Sequence, residues 1–179
     1  MEYAYRAINE IDPHILKMNV LNLGYEGMFS GYNYVMELRK KYDCNMPWIL
    51  LFDPTASCNL HCKGCWAAEY GKTLNLTYEE MDKLVTEGEE LGIHWYMCTG
   101  GEPMCRKNDL LKLAAAHQSS VFHLFTNGTL IDEAFADDML RVGNFAPAIS
   151  VEGYGEETDM RRGKGTFKAV MKAMEILKR

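Results

Sequence analysis

The sequence predicts an α/β fold of consecutive parallel strand–helix units, preceded by a helical extension over residues 1–45. Three observations carry this. From Trp48 onward, short apolar runs of strand character alternate four times with stretches whose apolar residues recur at helical spacing. The connections between them are short, as expected of βαβ units in a parallel sheet. Three cysteines fall in the loop after the first apolar run, at the C-terminal end of a strand, where α/β folds place their sites.

Within the extension, Asp12-Pro13 starts a helix, with a capping carboxylate and proline at the first helical position. Ile15, Leu16, Val20 and Leu21 give it an apolar face, and Gly24 and Gly27 are expected to stop it. A second amphipathic piece, Tyr32 to Lys41, carries Val35 and Leu38 and ends in Arg39, Lys40 and Lys41, which suits a helix C-terminus. Both faces are short and mixed in charge, so the extension is expected to pack on the main unit, residues 46–179, rather than on a membrane surface.

In the main unit, Trp48-Ile49-Leu50-Leu51-Phe52 reads as a buried strand. Thr77-Tyr78-Glu79-Glu80 matches the capping box, and Met81, Leu84, Val85, Gly88 and Leu91 share one helical face that Gly92 ends. Ile93–Cys98 is the second strand, Thr99–Pro103 a loop, and Leu110, Leu111, Leu113 and Ala114 mark the next helix. Val121–Phe125 is the third strand, closed by Thr126-Asn127-Gly128. Asp132 then caps a helix containing Phe135, Met139 and Leu140. Phe145–Val151 is the fourth strand, although Pro147 removes a ladder donor. Phe167, Val170, Met171, Met174 and Leu177 line a last helix. Four parallel strands make an open sheet, whereas a closed eight-stranded barrel takes about 250 residues. The expectation is an open sheet or a part of something longer, with a strand edge that invites self-association.

With 179 residues, 47% hydrophobic and 25% charged, the chain suits one well-buried domain. A net charge of −6 argues against nucleic-acid binding. No apolar run approaches the roughly 20 residues of a membrane helix, and the N-terminus lacks a signal-peptide layout. A reducing, cytoplasmic location is therefore expected, in which six cysteines point to metal binding or catalysis rather than disulfides. Asn75-Leu76-Thr77 and Asn127-Gly128-Thr129 are chance matches to the glycosylation pattern.

The chemistry lies at the strand ends. Cys58, Cys62 and Cys65 fall within eight residues, whereas iron–sulfur clusters are typically held by about four thiolates; a cubane held by three leaves one iron open. Gly100-Gly101-Glu102-Pro103, Thr126-Asn127-Gly128 and Ser150-Val151-Glu152-Gly153 follow the other three strands, so four signatures converge on one sheet edge. The alternative for the cysteines is a structural zinc site with His61 as fourth ligand. Cys44, Cys98 and Cys105 lack partner spacing, and His94, His117 and His123 read as structural. Arg161-Arg162-Gly163-Lys164-Gly165 lacks phosphate-loop spacing and reads as a cofactor-contact loop and helix start.

Cys58-x-x-x-Cys62-x-x-Cys65 followed by Gly100-Gly101-Glu102-Pro103 resembles the radical S-adenosylmethionine (SAM) enzyme family, over roughly Trp48 to Arg179. The resemblance implies a partial (β/α)6 barrel of which four units are present, hence a core truncated after the fourth. It implies a [4Fe–4S] cluster on Cys58, Cys62 and Cys65, with SAM on the fourth iron through its amino and carboxylate groups. Gly100, Gly101, Glu102 and Pro103 would form the SAM loop, the glycines letting backbone approach the ligand and Glu102 accepting from the SAM ammonium. Ser150 and Arg161 would bind its ribose or carboxylate, Glu152 stands where an aspartate is usual, and Trp66 and Asn127 would shape the adenosine pocket. Gly64 replaces an aromatic residue common before the third cysteine. The implied activity is reductive cleavage of SAM to a 5′-deoxyadenosyl radical that takes hydrogen from an unknown substrate, with a flavodoxin or ferredoxin as electron donor. The competing expectations are a non-catalytic cluster- or SAM-binding module and, third, a zinc-stabilised domain.

Overall fold

The computed structural model describes residues 2–71 and 73–178. Helices α1 (Glu2–Glu10), α2 (Pro13–Asn19) and α3 (Gly31–Tyr42) come first, and a wider π-type helix, Val20–Ser30, joins the last two. Then follow β1 (Leu50–Phe52), α4 (Tyr78–Glu90), β2 (Trp95–Cys98), α5 (Lys107–Ala116), β3 (Val121–Thr126), α6 (Glu133–Val142) and β4 (Phe145–Ile149). Helices α7 (Glu156–Arg162) and α8 (Thr166–Leu177) close the order. The four strands pair in parallel and in chain order. Among the described residues, no helix is long and apolar enough to cross a membrane.

Alternation along the strands separates two faces of the sheet. Phe52, Tyr96, Cys98, Phe122, Leu124 and Phe145 are buried against Met81 and Val85 of α4, Leu110 and Leu113 of α5, and Phe135 and Met139 of α6. Tyr96 stacks on Phe122 and Phe122 on Phe145, at centroid distances of 5.5 and 6.2 Å. Burial of these rings contributes to the driving force together with the aliphatic side chains around them. The other face carries Leu51, Trp95, Met97, His123 and Phe125, with Leu51 59% and Phe125 44% exposed. Trp48 lies ahead of β1 and packs edge-on against Trp95, 5.4 Å between centroids.

Pro147 sits inside β4 without breaking it. The Phe122 amide donates to Asn144 O and the Ser150 amide to Thr126 O, so the even-numbered peptides of β4 face β3. Pro147 therefore turns its missing donor outward, where β3 does not need it. The expected helix starts also appear. Thr77 and Glu80 make the reciprocal capping box of α4, and Asp132 accepts from the Phe135 amide at the start of α6.

Two expectations are corrected. Gly24 and Gly27 do not stop a helix: the chain stays helical from Pro13 to Tyr42, with both glycines in the π-type stretch. A helical glycine costs only about 1 kcal/mol, and tertiary contacts hold this rod. A β-carbon on Gly143, after α6, would meet His14 Nε2 at 2.4 Å. Asn22 Nδ2 donates to Gln118 O (2.8 Å) and Ser120 O (3.1 Å) after α5, and a β-carbon on Gly31 would lie 2.6 Å from Gly92 O after α4. The rod thus runs beneath the N-terminal edge of the sheet, touching three helix–strand turns in reverse chain order. Second, Arg161 and Arg162 belong to no loop; they form the last turn of α7, whose Glu156 and Glu157 lie in its first turn, the charge order that suits a helix dipole.

His117, buried between α4 and α5, is structural. Its Nδ1 lies 2.9 Å from Glu89 Oε2 and its Nε2 3.1 Å from Asp82 Oδ1. Burial alone raises the Glu89 carboxyl, but donation from Ser120, His117 and Ser119 outweighs it and holds the group below its ordinary value. A lowered carboxylate contributes stability above its unfolded value of about 4.3, lost as pH falls through the folded value. Urea midpoints should therefore fall more steeply below about pH 4.5 in wild type than in Glu89→Gln; parallel curves would contradict this.

Candidate functional site

The segment after β1 is fastened to the turn after β2 by backbone bonds. Thr99 N donates to Phe52 O (3.1 Å), Gly101 N to Thr55 O (2.9 Å) and Glu102 N to Ser57 O (2.8 Å). This explains the two glycines. At Gly100, with φ +102, a β-carbon would lie 2.6 Å from Thr55 O; at Gly101 it would lie 2.3 Å from Ser57 O and 2.5 Å from Ala56 O. Their smallness is used for contact between protein backbones, directly upstream of Cys58.

Glu102 is 2% exposed and ties two strand ends together. Its Oε1 accepts from Met104 N (2.9 Å) and Thr126 Oγ1 (2.6 Å), and its Oε2 accepts from Asn127 N (2.7 Å). Burial pushes the carboxyl up, opposed by these three donors and by Arg162. An ionised carboxylate has about four acceptor sites, so these three donors leave one unused. Pro103 starts the short 3₁₀ turn Pro103–Arg106 that Glu102 caps. Glu102→Gln must turn an amide N–H toward a buried backbone N–H. We expect a loss of about 1.5–3 kcal/mol in chemical unfolding; an unchanged midpoint would show that the acceptor is not needed.

Asn127 also binds protein first. Its Nδ2 donates to Asn59 Oδ1 (2.8 Å), and its Oδ1 accepts from Thr129 N (2.9 Å) and Thr129 Oγ1 (2.7 Å). Asn59 Nδ2 donates to Thr129 Oγ1 at 2.8 Å. The cysteine loop is thereby anchored to the β3 end at the residue after Cys58. Trp66 lines a cavity beside the Gly100–Gly101 turn that Asn127 does not line.

The third anchor comes from α7. Lys63 N donates to Arg161 O (2.8 Å), and Arg161 Nε donates to Lys63 O (3.3 Å). Glu152 Oε1 accepts from Arg161 Nη1 and Arg162 Nη2, each at 2.5 Å, and these arginines hold its carboxyl below the ordinary range. Arg161 is thus engaged by Glu152 and Lys63. Ser150, half-buried at the end of β4, donates its amide to Thr126 O, and its hydroxyl has no hydrogen-bond partner among the described residues.

These three anchors bring the cysteines to one edge. Cys58, Cys62 and Cys65 are half-buried thiols, none in a disulfide. Burial raises Cys58, opposed by the Leu60 N–H, which reaches its Sγ at 3.4 Å. Burial also raises Cys62, while Arg162 and Arg161 favour its thiolate and Cys65 opposes it. Among the described residues, no three Cys, His, Asp or Glu side chains already enclose a common point. The donor set nevertheless fits an iron–sulfur cluster: three accessible thiols on one glycine-containing loop beside two arginines. One neighbour had no sequence signal. Cys105, exposed in the turn after Pro103, lies near enough to Cys58 to act on its charge, a proximity that only the folded turn creates. Cys98 is fully buried in the core, its thiol pushed far up by burial.

The profile of the radical SAM superfamily matches residues 52–179. The chain is 33% identical over 131 residues to the Fe-coproporphyrin III synthase of Methanosarcina barkeri, covering 70% of this chain and 33% of that protein. It is 28% identical over 148 residues to an uncharacterised protein of Archaeoglobus fulgidus, covering 81% and 33%. It therefore spans about a third of the length of these relatives. A solved structure of anSMEcpe with bound AdoMet and a Cp18Cys peptide superposes with a TM-score of 0.61 at 28% identity, over 73% of this chain and 39% of that one. The α/β architecture with four parallel strands is that of the partial barrel in these structures. On this evidence the chain belongs to the radical SAM superfamily, whose members work with a [4Fe–4S] cluster and SAM.

Proposed function

We propose that this chain is the cluster- and SAM-binding part of a radical SAM enzyme. The observation that carries the proposal is the convergence on Cys58, Cys62 and Cys65 of three separate anchors, from the ends of β2 and β3 and from α7. When bound, a reduced [4Fe–4S] cluster and SAM supply a 5′-deoxyadenosyl radical that takes a hydrogen atom from substrate. The protein's part is to place and shield that chemistry.

Cys58, Cys62 and Cys65 would supply the thiolates. Arg161 and Arg162 beside Cys62 favour its ionised form and offset part of the negative charge that three thiolates bring together. Glu102 holds the β2 turn against Asn127 and retains one acceptor position for an ammonium group. The Ser150 hydroxyl is available to a ribose. Arg161, already held by Glu152, would reach a ligand only through the donors that Glu152 and Lys63 leave unused. A flavodoxin or ferredoxin would deliver the electron.

The test is anaerobic reconstitution with iron and sulfide, followed by reductant and SAM. Brown protein that forms 5′-deoxyadenosine is the expected result. Because the chain spans about a third of its relatives, a second reading is a module that binds SAM without cleaving it. SAM binding without 5′-deoxyadenosine under strong reductant would favour that reading, and zinc in anaerobically purified protein would overturn both.

A further inference from the structure

A cavity of about 370 Å³ opens on the β1 side of the Gly100–Gly101 turn. That volume falls within the range of small-molecule sites, roughly 300–1,000 Å³. Its walls are mainly apolar, from Leu74, Leu76 and the Trp66 indole together with alanines of the cysteine loop. Two polar side chains line it, Asp53 and Asn75. Asn75 is committed, its Oδ1 to the Thr55 hydroxyl and its Nδ2 to Thr73 O. Among the described residues, no hydrogen bond or ion pair reaches the Asp53 carboxylate. It follows directly on β1, and its Cβ stands 2.9 Å from where a β-carbon on Gly100 would lie.

We infer that this cavity binds an organic cation on a short aliphatic stem, with Asp53 as its counter-ion, and that the cation belongs to the substrate rather than to SAM. Asp53 is exposed at the cavity mouth and such burial as it has raises its carboxyl, but among the described residues no cation pairs with it to give a compensating charge. An ammonium entering the cavity supplies it. Leu74 and Leu76 match an aliphatic stem, and the Trp66 ring offers a face that attracts cations. The cavity shares Gly100 and Gly101 with the proposed SAM loop and Trp66 with the residues expected to shape the adenosine pocket, but none of Glu102, Asn127, Ser150, Glu152 and Arg161 lines it. Its occupant would abut the SAM site without using those contacts. The assignment to substrate rests on the proposed SAM-cleaving function; the binding itself does not.

The test uses n-pentylammonium as probe and n-pentanol as its uncharged counterpart, titrated calorimetrically into the whole chain. The ammonium should bind about tenfold more tightly than the alcohol, the ratio expected for one charge-assisted contact. Asp53→Asn should abolish that preference and Asp53→Glu should keep it. Leu74→Lys, at a wall position 64% exposed, should lower ammonium affinity by about tenfold by placing a cation in the cavity. Equal binding of the two probes, or an unchanged preference in Asp53→Asn, would overturn the site. Loss of SAM affinity in Asp53→Asn in step with the ammonium would overturn the substrate assignment, since the carboxylate would then serve SAM itself. The probe titration needs neither cluster nor SAM, so failure of SAM cleavage would count against the proposed function alone.

Discussion

Cys58→Ala protein, reconstituted anaerobically, is expected to stay nearly colourless and to lose SAM cleavage by about 10³-fold or more, because ligands that act as a unit fail together. Cys62→Ala and Cys65→Ala should do the same. Cys44→Ala, at an exposed position beyond α3, should retain colour and cleavage. The cause is local. Cys58 follows a stretch whose carbonyls from Thr55 and Ser57 are held by the β2 turn, and Asn59 is fixed by Asn127 and Thr129. A neighbouring side chain cannot take its place without releasing those bonds. Iron per chain and 5′-deoxyadenosine formation are the measurements. A Cys58→Ala protein that loads iron and cleaves SAM like wild type would end the proposal.

Gly101→Ala should be almost as damaging, though it removes no functional group. Its new β-carbon would lie 2.3 Å from Ser57 O and 2.5 Å from Ala56 O, both backbone atoms that cannot rotate aside. Relief requires the cysteine loop to move away, stretching the bonds from Gly101 N to Thr55 O and from Glu102 N to Ser57 O. We expect about 2–4 kcal/mol lost in the urea unfolding of the iron-free protein, from overpacking plus weakened hydrogen bonds. Iron loading should fall as well. Gly64→Ala separates this from a generic glycine effect. No heavy atom lies within 4 Å of its β-carbon position, so only its φ of +66 penalises the change, by about 1–2 kcal/mol. If the two variants unfold alike, the backbone-packing account is wrong.

Where pattern and local chemistry agree, the sequence was a good guide to the fold. Four apolar runs became four parallel strands in chain order, and the Thr77/Glu80 capping box and the Asp132 cap lie where the residues place them. Pro147 looked like an argument against a strand because sequence does not say which neighbour a peptide faces. The rod from Pro13 to Tyr42 was illegible because Gly24 and Gly27 act as stops in an isolated helix, whereas packing beneath the sheet overrides that weak preference. In the site, spacing identified the cysteines and the Gly100–Pro103 turn as belonging together. What spacing could not convey is which partner each polar group takes. Glu102, Asn127 and Arg161 bond other protein groups that lie close only after folding. Cys105 and the cavity beside Asp53 are likewise products of tertiary proximity.

The rod beneath the sheet has a consequence for the order of folding. Its residues are made before their partners: His14 finds Gly143, Asn22 finds Ser120 and Gly31 finds Gly92, each of which leaves the ribosome after the rod itself. Contacts of such long sequence separation close only after the chain between them has collapsed. Full docking of the rod therefore requires the chain as far as Gly143 to be in place, and it links the three αβ turns along one edge of the sheet.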